Sequence, residues 1–428
     1  MIKSICCLLV LLPLASHAQV TPTQIDLLAA EAQPQVVEWR RWFHQNPELS
    51  NREFNTAEKV AEVLREMGLE PVTGIAHTGV TAIIEGGKPG PLVAIRTDMD
   101  GLPVTEQTGL PFASTATDQY NGEQTGVMHA CGHDSHMAML LGSAWVLNSM
   151  KDQLAGSVML IFQPAEEGPP GDEEGGAMLM LKEGVWDERK PEAVFGIHVG
   201  ITTPGGQIAV RPGPLMAAAD SFKLKVIGRQ THGAMPWKGV DPIVLAAQIV
   251  MAFQTIESRQ VNVTLAPSII SVGRIAGGIR GNVIPDEVVM EGTIRTFDAA
   301  MRQDIHARME RTARAIAEAA GAEIEFELGL GYPAVVNDPE LFARMLPTLQ
   351  RVSGDNPVHA VTPQTVAEDF SLYAEQTPGL FLFLGNGPPD VDPETLAANH
   401  SPFFDMYEPN LEMGVRIFSN LVVDYLQQ

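Results

Sequence analysis

The stretch Ser157-Val158-Met159-Leu160-Ile161-Phe162-Gln163-Pro164-Ala165-Glu166-Glu167 decides the fold. Its first six residues carry no charge and show no alternation, so as a strand they can be buried on both faces. Such a strand needs helices above and below it, which indicates a largely parallel α/β sheet. The strand stops at Gln163, a proline follows, and two carboxylates come directly after. In open α/β sheets, sites form outside the carboxyl ends of strands. The same stretch therefore points to where the chemistry sits. One carboxylate of such a pair can bind a metal ion while its neighbour takes a proton from water. Metal coordination lowers the pKa of water from about 15.7 to about 7, within reach of a carboxylate base. The acids Asp172, Glu173 and Glu174 follow a Pro/Gly turn instead and read as a solvated loop.

Outward from this strand, T-A-I-I-E and P-L-V-A-I-R-T read as further strands, the second entering D-M-D-G-L-P with Asp98 and Asp100. A-V-F-G-I-H-V brings His198 to a strand end, and G-L-F-L-F-L-G precedes His400 in A-N-H-S-P-F-F. Helices are expected across Ile25–Gly68, punctuated by Pro47, over Ser135–Met150 and Ala177–Lys182, and from Asn410. The middle of the chain differs. S-F-K-L-K-V-I-G alternates, a helix runs from Asp241 to about Ser258, and S-I-I-S-V-G-R-I and V-V-M-E-G-T-I-R-T follow as strands. A helix over Ala299–Ala320 and the alternating A-E-I-E-F-E-L complete a β-α-β-β-α-β order, a ferredoxin-like unit. The expected organisation is a catalytic domain in two parts, 19–215 and 329–428, with an α+β insertion at 216–328.

Length and composition agree with a globular protein: 428 residues, 45% hydrophobic and 19% charged. The net charge of −24 argues against nucleic acid as a partner. The N-terminus reads M-I-K-S, then an apolar run from Ile5 to Ala15, then S-H-A before Gln19, the pattern of a secretory signal peptide. Cleavage after Ala18, a periplasmic or secreted product and no retained membrane segment are the expectation. That cleavage removes Cys6 and Cys7 and leaves Cys131 without a disulfide partner. A buried, inert thiol is the plain reading of a lone cysteine.

Its surroundings favour a metal. Met128-His129-Ala130-Cys131-Gly132-His133-Asp134-Ser135-His136 holds three of the eleven histidines. Thiolate and imidazole suit zinc and related ions, and Cys131 and His133 lie on the approach to a helix. Two ligands do not make a site, but Glu166, Glu167, His198 and His400 all fall at the carboxyl ends of expected strands. No phosphate-binding G-x-x-x-x-G-K-[ST] loop, G-x-S-x-G elbow or H-E-x-x-H helix is present in the sequence.

D-M-D-G-L-P, H-A-C-G-H-D, Q-P-A-E-E-G, G-I-H, G-x-x-x-H-G-A-M-P, G-N-V-I-P and N-H-S-P-x-F, in this order, resemble the M20 metallopeptidase family. They are most similar to its branch hydrolysing N-acyl amino acids, hippurate and indole-acetyl amino acids. The resemblance implies a two-metal catalytic domain carrying an inserted lid that mediates homodimerisation. It implies Cys131, His133, Glu167, His198 and His400 as metal ligands and Glu166 as general base. Asp98 stands where other branches carry a histidine ligand, so it is expected to be structural, with Asp100 orienting the metal cluster. His129, Asp134 and His136 receive no role. For His232, spacing alone suggests a surface residue. The resemblance instead implies that it reaches the partner's site to stabilise the oxyanion. Asn282 and Arg295 would bind substrate, the guanidinium matching an α-carboxylate.

The resulting expectation is a metal-dependent amidohydrolase. It would use two divalent ions, zinc or manganese first, with cobalt or nickel also compatible, to cleave N-acyl amino acids to a carboxylic acid and a free amino acid. A dipeptidase or carboxypeptidase using the same site is the alternative. An exported binding protein without turnover is a third reading, against which the intact Glu166 stands.

Overall fold

The computed structural model describes residues 20–428; the expected leader Met1–Ala18, with Cys6 and Cys7, lies outside the described residues. Ala155–Gln163 is a strand of an eight-stranded sheet, parallel to Lys88–Asp98 and antiparallel to Gly79–Glu85. Beyond Lys88–Asp98 lie Ala193–Gly205 and Gly379–Gly385, each parallel to its neighbour. Val72–Ile75 forms one edge; Ile208–Val210 and Val358–Ala360 complete the other. The centre of the sheet is parallel and the antiparallel pairs lie toward its margins.

The apolar run of the central strand divides between two cores, as a pleated strand buried on both faces must. Val158, Leu160 and Phe162 enter one core, Met159 and Ile161 the other. Pro22–Gln45, Phe54–Glu66, His133–Ser149, Pro339–Ser353 and Leu411–Leu426 contribute to the first. Gly176–Lys182 and Phe370–Ala374 contribute to the second. Fully burying one Leu or Phe side chain contributes roughly 1.5–3 kcal/mol, so these two layers supply most of the cohesion.

The segment Ile25–Gly68 forms two helices, Pro22–Gln45 and Phe54–Glu66, with the break around Pro47 that punctuates the sequence. One expectation needs correction. The helix expected from Ser135 begins at His133, inside the histidine-rich motif. Gly132 makes this possible: its φ is +95°, and a Cβ there would stand 2.4 Å from Val199 Cγ2.

A second sheet runs from Ala218 to Leu330 in the chain order β-α-β-β-α-β. Its strands lie in the spatial order Ser268–Ala276, Glu287–Thr296, Ala218–Ile227, Glu323–Leu330, all antiparallel. Helices Pro242–Arg259 and Ala299–Ala319 pack on it around Phe222, Phe253 and Met290. Asp241 and Asp298 cap these helices by accepting backbone N–H bonds. No helix of the described residues is long and apolar enough to cross a membrane.

A buried charge network ties the first helix to the motif helix. Arg40 Nε donates to Asp134 Oδ2 at 2.8 Å, and His44 Nδ1 meets the same oxygen at 2.8 Å. His44 Nε2 faces Glu106 at 3.1 Å, so both ring nitrogens have carboxylate partners. Burial alone would lower the His44 pKa, but the bonds to Asp134 and Glu106 hold it up, to about 9. A raised pKa means the stabilisation is complete below the ordinary value of 6.5 and is lost as pH rises through about 9. The unfolding free energy of the parent minus that of His44→Gln is therefore expected to shrink between pH 6.5 and pH 9. The total change is about 3 kcal/mol, measured by denaturant titration.

Candidate active site

The site forms where three parallel strands end. Lys88–Asp98 delivers Asp98 and Asp100, Ala155–Gln163 delivers Glu166 and Glu167, and Ala193–Gly205 carries His198. Asp100 is fully buried and holds the Glu pair by its backbone. The N–H of Glu166 donates to Oδ1 and that of Glu167 to Oδ2, both at 3.1 Å, while Ser50 Oγ donates to Oδ2 at 2.7 Å. Ala165, just before the pair, has φ +51°, and its N–H donates to Glu53 Oε1 at 2.9 Å. His400 is also a non-glycine residue at positive φ, +68°, and its N–H donates to the Ala130 carbonyl at 2.8 Å. Such conformations cost of order 1–3 kcal/mol and gather at functional sites.

The hydrogen bonds of each histidine fix which nitrogen is free. His133 Nδ1 donates to the Asp100 carbonyl at 2.8 Å, leaving Nε2 buried without a hydrogen-bond partner, 3.8 Å from Asp98 and 3.9 Å from both Glu166 and Glu167. His198 Nδ1 donates to the Val199 carbonyl at 2.7 Å, and Nε2 stands 3.4 Å from Cys131 Sγ. In both rings Nδ1 is committed to a backbone carbonyl, so Nε2 is the nitrogen left for an ion in the same space, the arrangement of metal-bound histidines. His136 differs. Its Nδ1 donates to Asp98 Oδ1 at 2.6 Å and its Nε2 accepts from Val199 N–H at 2.8 Å, so no lone pair remains for an ion. His129 is buried with neither ring nitrogen partnered, and burial pushes its pKa down to about 4.

Two triads share the cysteine. Ligand atoms of Cys131, His133 and His198 lie within 4.8 Å of one another, and so do those of Cys131, Glu167 and His400. His400 Nε2 stands 3.2 Å from Glu167 Oε1. Asn399 braces this corner, donating from Nδ2 to the carbonyls of Cys131 at 3.0 Å and Val199 at 3.2 Å.

The electrostatics call for positive charge. Burial, then Glu167, Glu166 and Asp98, push the Cys131 thiol well above its ordinary pKa. Burial, then Glu368 and Glu167, push the Glu166 carboxyl well up. Burial would lower the His133 pKa, but Asp98 and Asp100 draw it up to about 10. All three shifts record carboxylates crowded without enough cations. Divalent cations would offset this crowding, and the unpartnered His133 Nε2 and the mixed S, N and O donor set fit them. A cavity of about 370 Å³ opens beside these groups. Its wall combines Cys131, Glu166, Glu167 and His198 with apolar Met216 and Phe383.

Comparison with known proteins agrees with this geometry. Residues 94–424 match the family model described as peptidase family M20/M25/M40. This chain belongs to that family. It is 39% identical over 398 residues to "Thermostable carboxypeptidase 1" of Saccharolobus solfataricus, covering 92% of this chain and 96% of the relative. It is 41% identical over 320 residues to the "N-acyl-L-amino acid amidohydrolase" of Geobacillus stearothermophilus, covering 75% and 82%. The crystal structure of a Bacillus subtilis protein described as a dinuclear metal binding peptidase from the M20 family superposes with a TM-score of 0.78. It is 35% identical and covers 93% of this chain and 99% of that one. This M20 chain is an enzyme, a metal-binding hydrolase acting on carbon–nitrogen bonds.

Within this M20 hydrolase, Cys131, His133, Glu166, Glu167, His198 and His400 come together, with Asp100 behind them. Three expected substrate-side residues do not join them within the chain. His232 lies exposed on the second sheet's unit, where Thr231–His232 pairs with Val283–Ile284. Asn282 is its neighbour, accepting from Gly233 N–H at 2.8 Å. Arg295 sits on strand Glu287–Thr296, opposite Ala219 and Ile269, where its Nη1 meets Thr293 Oγ1 and the Ile294 carbonyl.

Sequence reasoning missed the support beneath the site. Arg96, fully buried, pairs with Asp98, Glu368 and Asp369 at 3.0, 3.0 and 2.7 Å. Glu368 Oε2 is buried without a partner, and its carboxylate lies near that of Glu166. The second acidic pair, in A-E-D-F-S, was the available signal, since buried carboxylates need a cation. Asp98, expected to be structural, serves as that partner for Arg96 and His136.

Proposed function

We propose that this chain is a metal-dependent amidohydrolase that cleaves the amide bond of N-acyl amino acids, releasing a carboxylic acid and a free amino acid. The observation that carries this reading is Glu166. It is a buried carboxyl facing the cavity, backed by Asp100 and flanked by two donor triads that share Cys131. Cys131, His133, Glu167, His198 and His400 would hold two divalent ions, zinc or manganese first, with cobalt or nickel also compatible with the mixed S, N and O donors. Held there, the ions would supply Lewis-acid polarisation of the amide carbonyl and a lowered pKa for the attacking water.

Glu166 acts as the base that accepts the proton of that water and returns it to the leaving amine. Burial, then Glu368 and Glu167, push its carboxyl up in the metal-free chain, and divalent cations beside it would favour the ionised form that a base requires. Asp100 keeps Glu166 and Glu167 in fixed relation through their N–H groups. The apolar wall of Met216 and Phe383 receives the acyl group. Carboxypeptidase activity on the same bond type is the second reading, favoured by the similarity to the Saccharolobus solfataricus relative.

Assays of the metal-loaded protein on hippurate, N-acetyl-L-methionine, N-blocked peptides and free dipeptides separate the readings. N-acyl amino acids are expected to turn over fastest, and preferential cleavage of peptides would favour the second reading. Glu166→Gln is expected to retain its metal and lose about 10²–10⁴-fold in kcat. Full activity in that variant would remove Glu166 from the role of base.

The same reading includes a homodimer. Strand Ser268–Ala276 is an edge of its sheet among the described residues, with Ile269 and Ile275 exposed on it and Val263 and Leu265 exposed just before it. An open apolar edge is a natural place for a second copy to pair. His232, exposed and not among the residues lining its own cavity, would then serve the partner's oxyanion. Mixing His232→Ala with Glu166→Gln chains is expected to restore activity in the heterodimer. Proven heterodimers that stay inactive would contradict the shared site.

A further inference from the structure

Glu53 is a glutamate that the chemistry so far leaves unused. It precedes helix Phe54–Glu66 and has no solvent exposure. Its two oxygens have separate tasks. Oε1 accepts the Ala165 N–H at 2.9 Å, across 112 positions of sequence, and Oε2 accepts the Thr78 hydroxyl at 2.7 Å. Three consecutive amides therefore end on carboxylates: Ala165 on Glu53, then Glu166 and Glu167 on Asp100. The residue that Glu53 holds is the one at φ +51°, the turn that aims the Glu pair into the cavity.

The placement is unfavourable for stability alone. Burial and the neighbouring Asp100 raise the Glu53 carboxyl to about 8, whereas a buried amide or apolar group would avoid the repulsion. Costly buried carboxyls kept beside a reaction centre point to a task there.

We infer that Glu53 is a positioning residue for Glu166, its Oε1 fixing the strained Ala165 peptide so that the base points at the cavity. The inference rests on Glu166 being the base. The required feature is reach: an acceptor at the end of a two-methylene arm, held from behind by Thr78. Gln provides it, since its carbonyl can accept from Ala165 while its amide donates to Thr78 Oγ1. Asp keeps the carboxylate but is one methylene too short.

The test compares Glu53→Gln, Glu53→Asp and Glu166→Gln in the metal-loaded protein, on whichever of hippurate and N-acetyl-L-methionine the parent hydrolyses faster. Glu53→Gln should keep kcat within about threefold of the parent. Glu53→Asp should lose roughly 10–100-fold in kcat, as expected when a reacting group shifts by about an ångström, with KM and bound metal unchanged. Hydrogen–deuterium exchange of the metal-free variants gives a readout independent of turnover. The peptide spanning 164–168 should exchange faster in Glu53→Asp and normally in Glu53→Gln. Parental kcat and exchange in Glu53→Asp would overturn the inference, as would losses that only follow the folded fraction or the metal content. If Glu53→Asp fails to fold, Thr78→Val, which removes only the rear support, should lower kcat about two- to fivefold with KM unchanged, and parental kcat there would overturn the inference. A fully active Glu166→Gln would sink the base assignment itself, whereas an inactive Glu166→Gln beside a parental Glu53→Asp would sink only the role of Glu53.

Discussion

The carboxyl ends of the central strands bury more negative charge than the chain's own cations offset. The single guanidinium of Arg96 faces three carboxylates, Asp98, Glu368 and Asp369, and Asp100, Glu166, Glu167 and the Cys131 sulfur gather beside them. Ionised groups in a dry interior must be paired or must take up protons. The raised pKa values of Glu166, Cys131 and His133 are that constraint expressed as protonation. Divalent cations resolve it more completely than protons can. Membership of a metal-binding hydrolase family fits the same demand.

The fold serves this concentration of charge. Parallel strands bring their carboxyl ends to one edge, so residues far apart in sequence converge without long loops. Helices on both faces keep the strands dry. The networks behind the site act as rigid stops: Arg40 and His44 hold Asp134 beside His133, Asn399 holds the loop carrying His400, and Asp100 and Glu53 hold the Glu turn. A site built from such second contacts has few ways to relax, which is what fixed geometry at a reaction centre requires.

Much of this was legible in the sequence because burial on both faces leaves a strong mark. The uninterrupted apolar run Ser157–Phe162 gave the parallel sheet, and the acids and histidines following such runs gave the cavity residues. The alternating S-F-K-L-K-V-I-G and A-E-I-E-F-E-L gave the second sheet for the opposite reason, one wet face. What stayed hidden depends on pairing across the chain. His136 has the same composition signal as His133, and only its bonds to Asp98 and Val199 N–H remove it from the ligand set. Glu53 sits in S-N-R-E-F-N, which reads as a polar helix start, and nothing local connects it to Ala165. The start of the motif helix was misplaced because the turn at Gly132 depends on the close approach of Val199.

The central claim is that the buried charge at these strand ends is completed by metal. Anomalous X-ray diffraction from crystals of manganese- or zinc-loaded protein tests it most directly. The account predicts two anomalous peaks per chain, both within bonding distance of side chains among Cys131, His133, Glu167, His198 and His400. A fully loaded crystal with no peak among these residues, or with ions held only elsewhere, would contradict it.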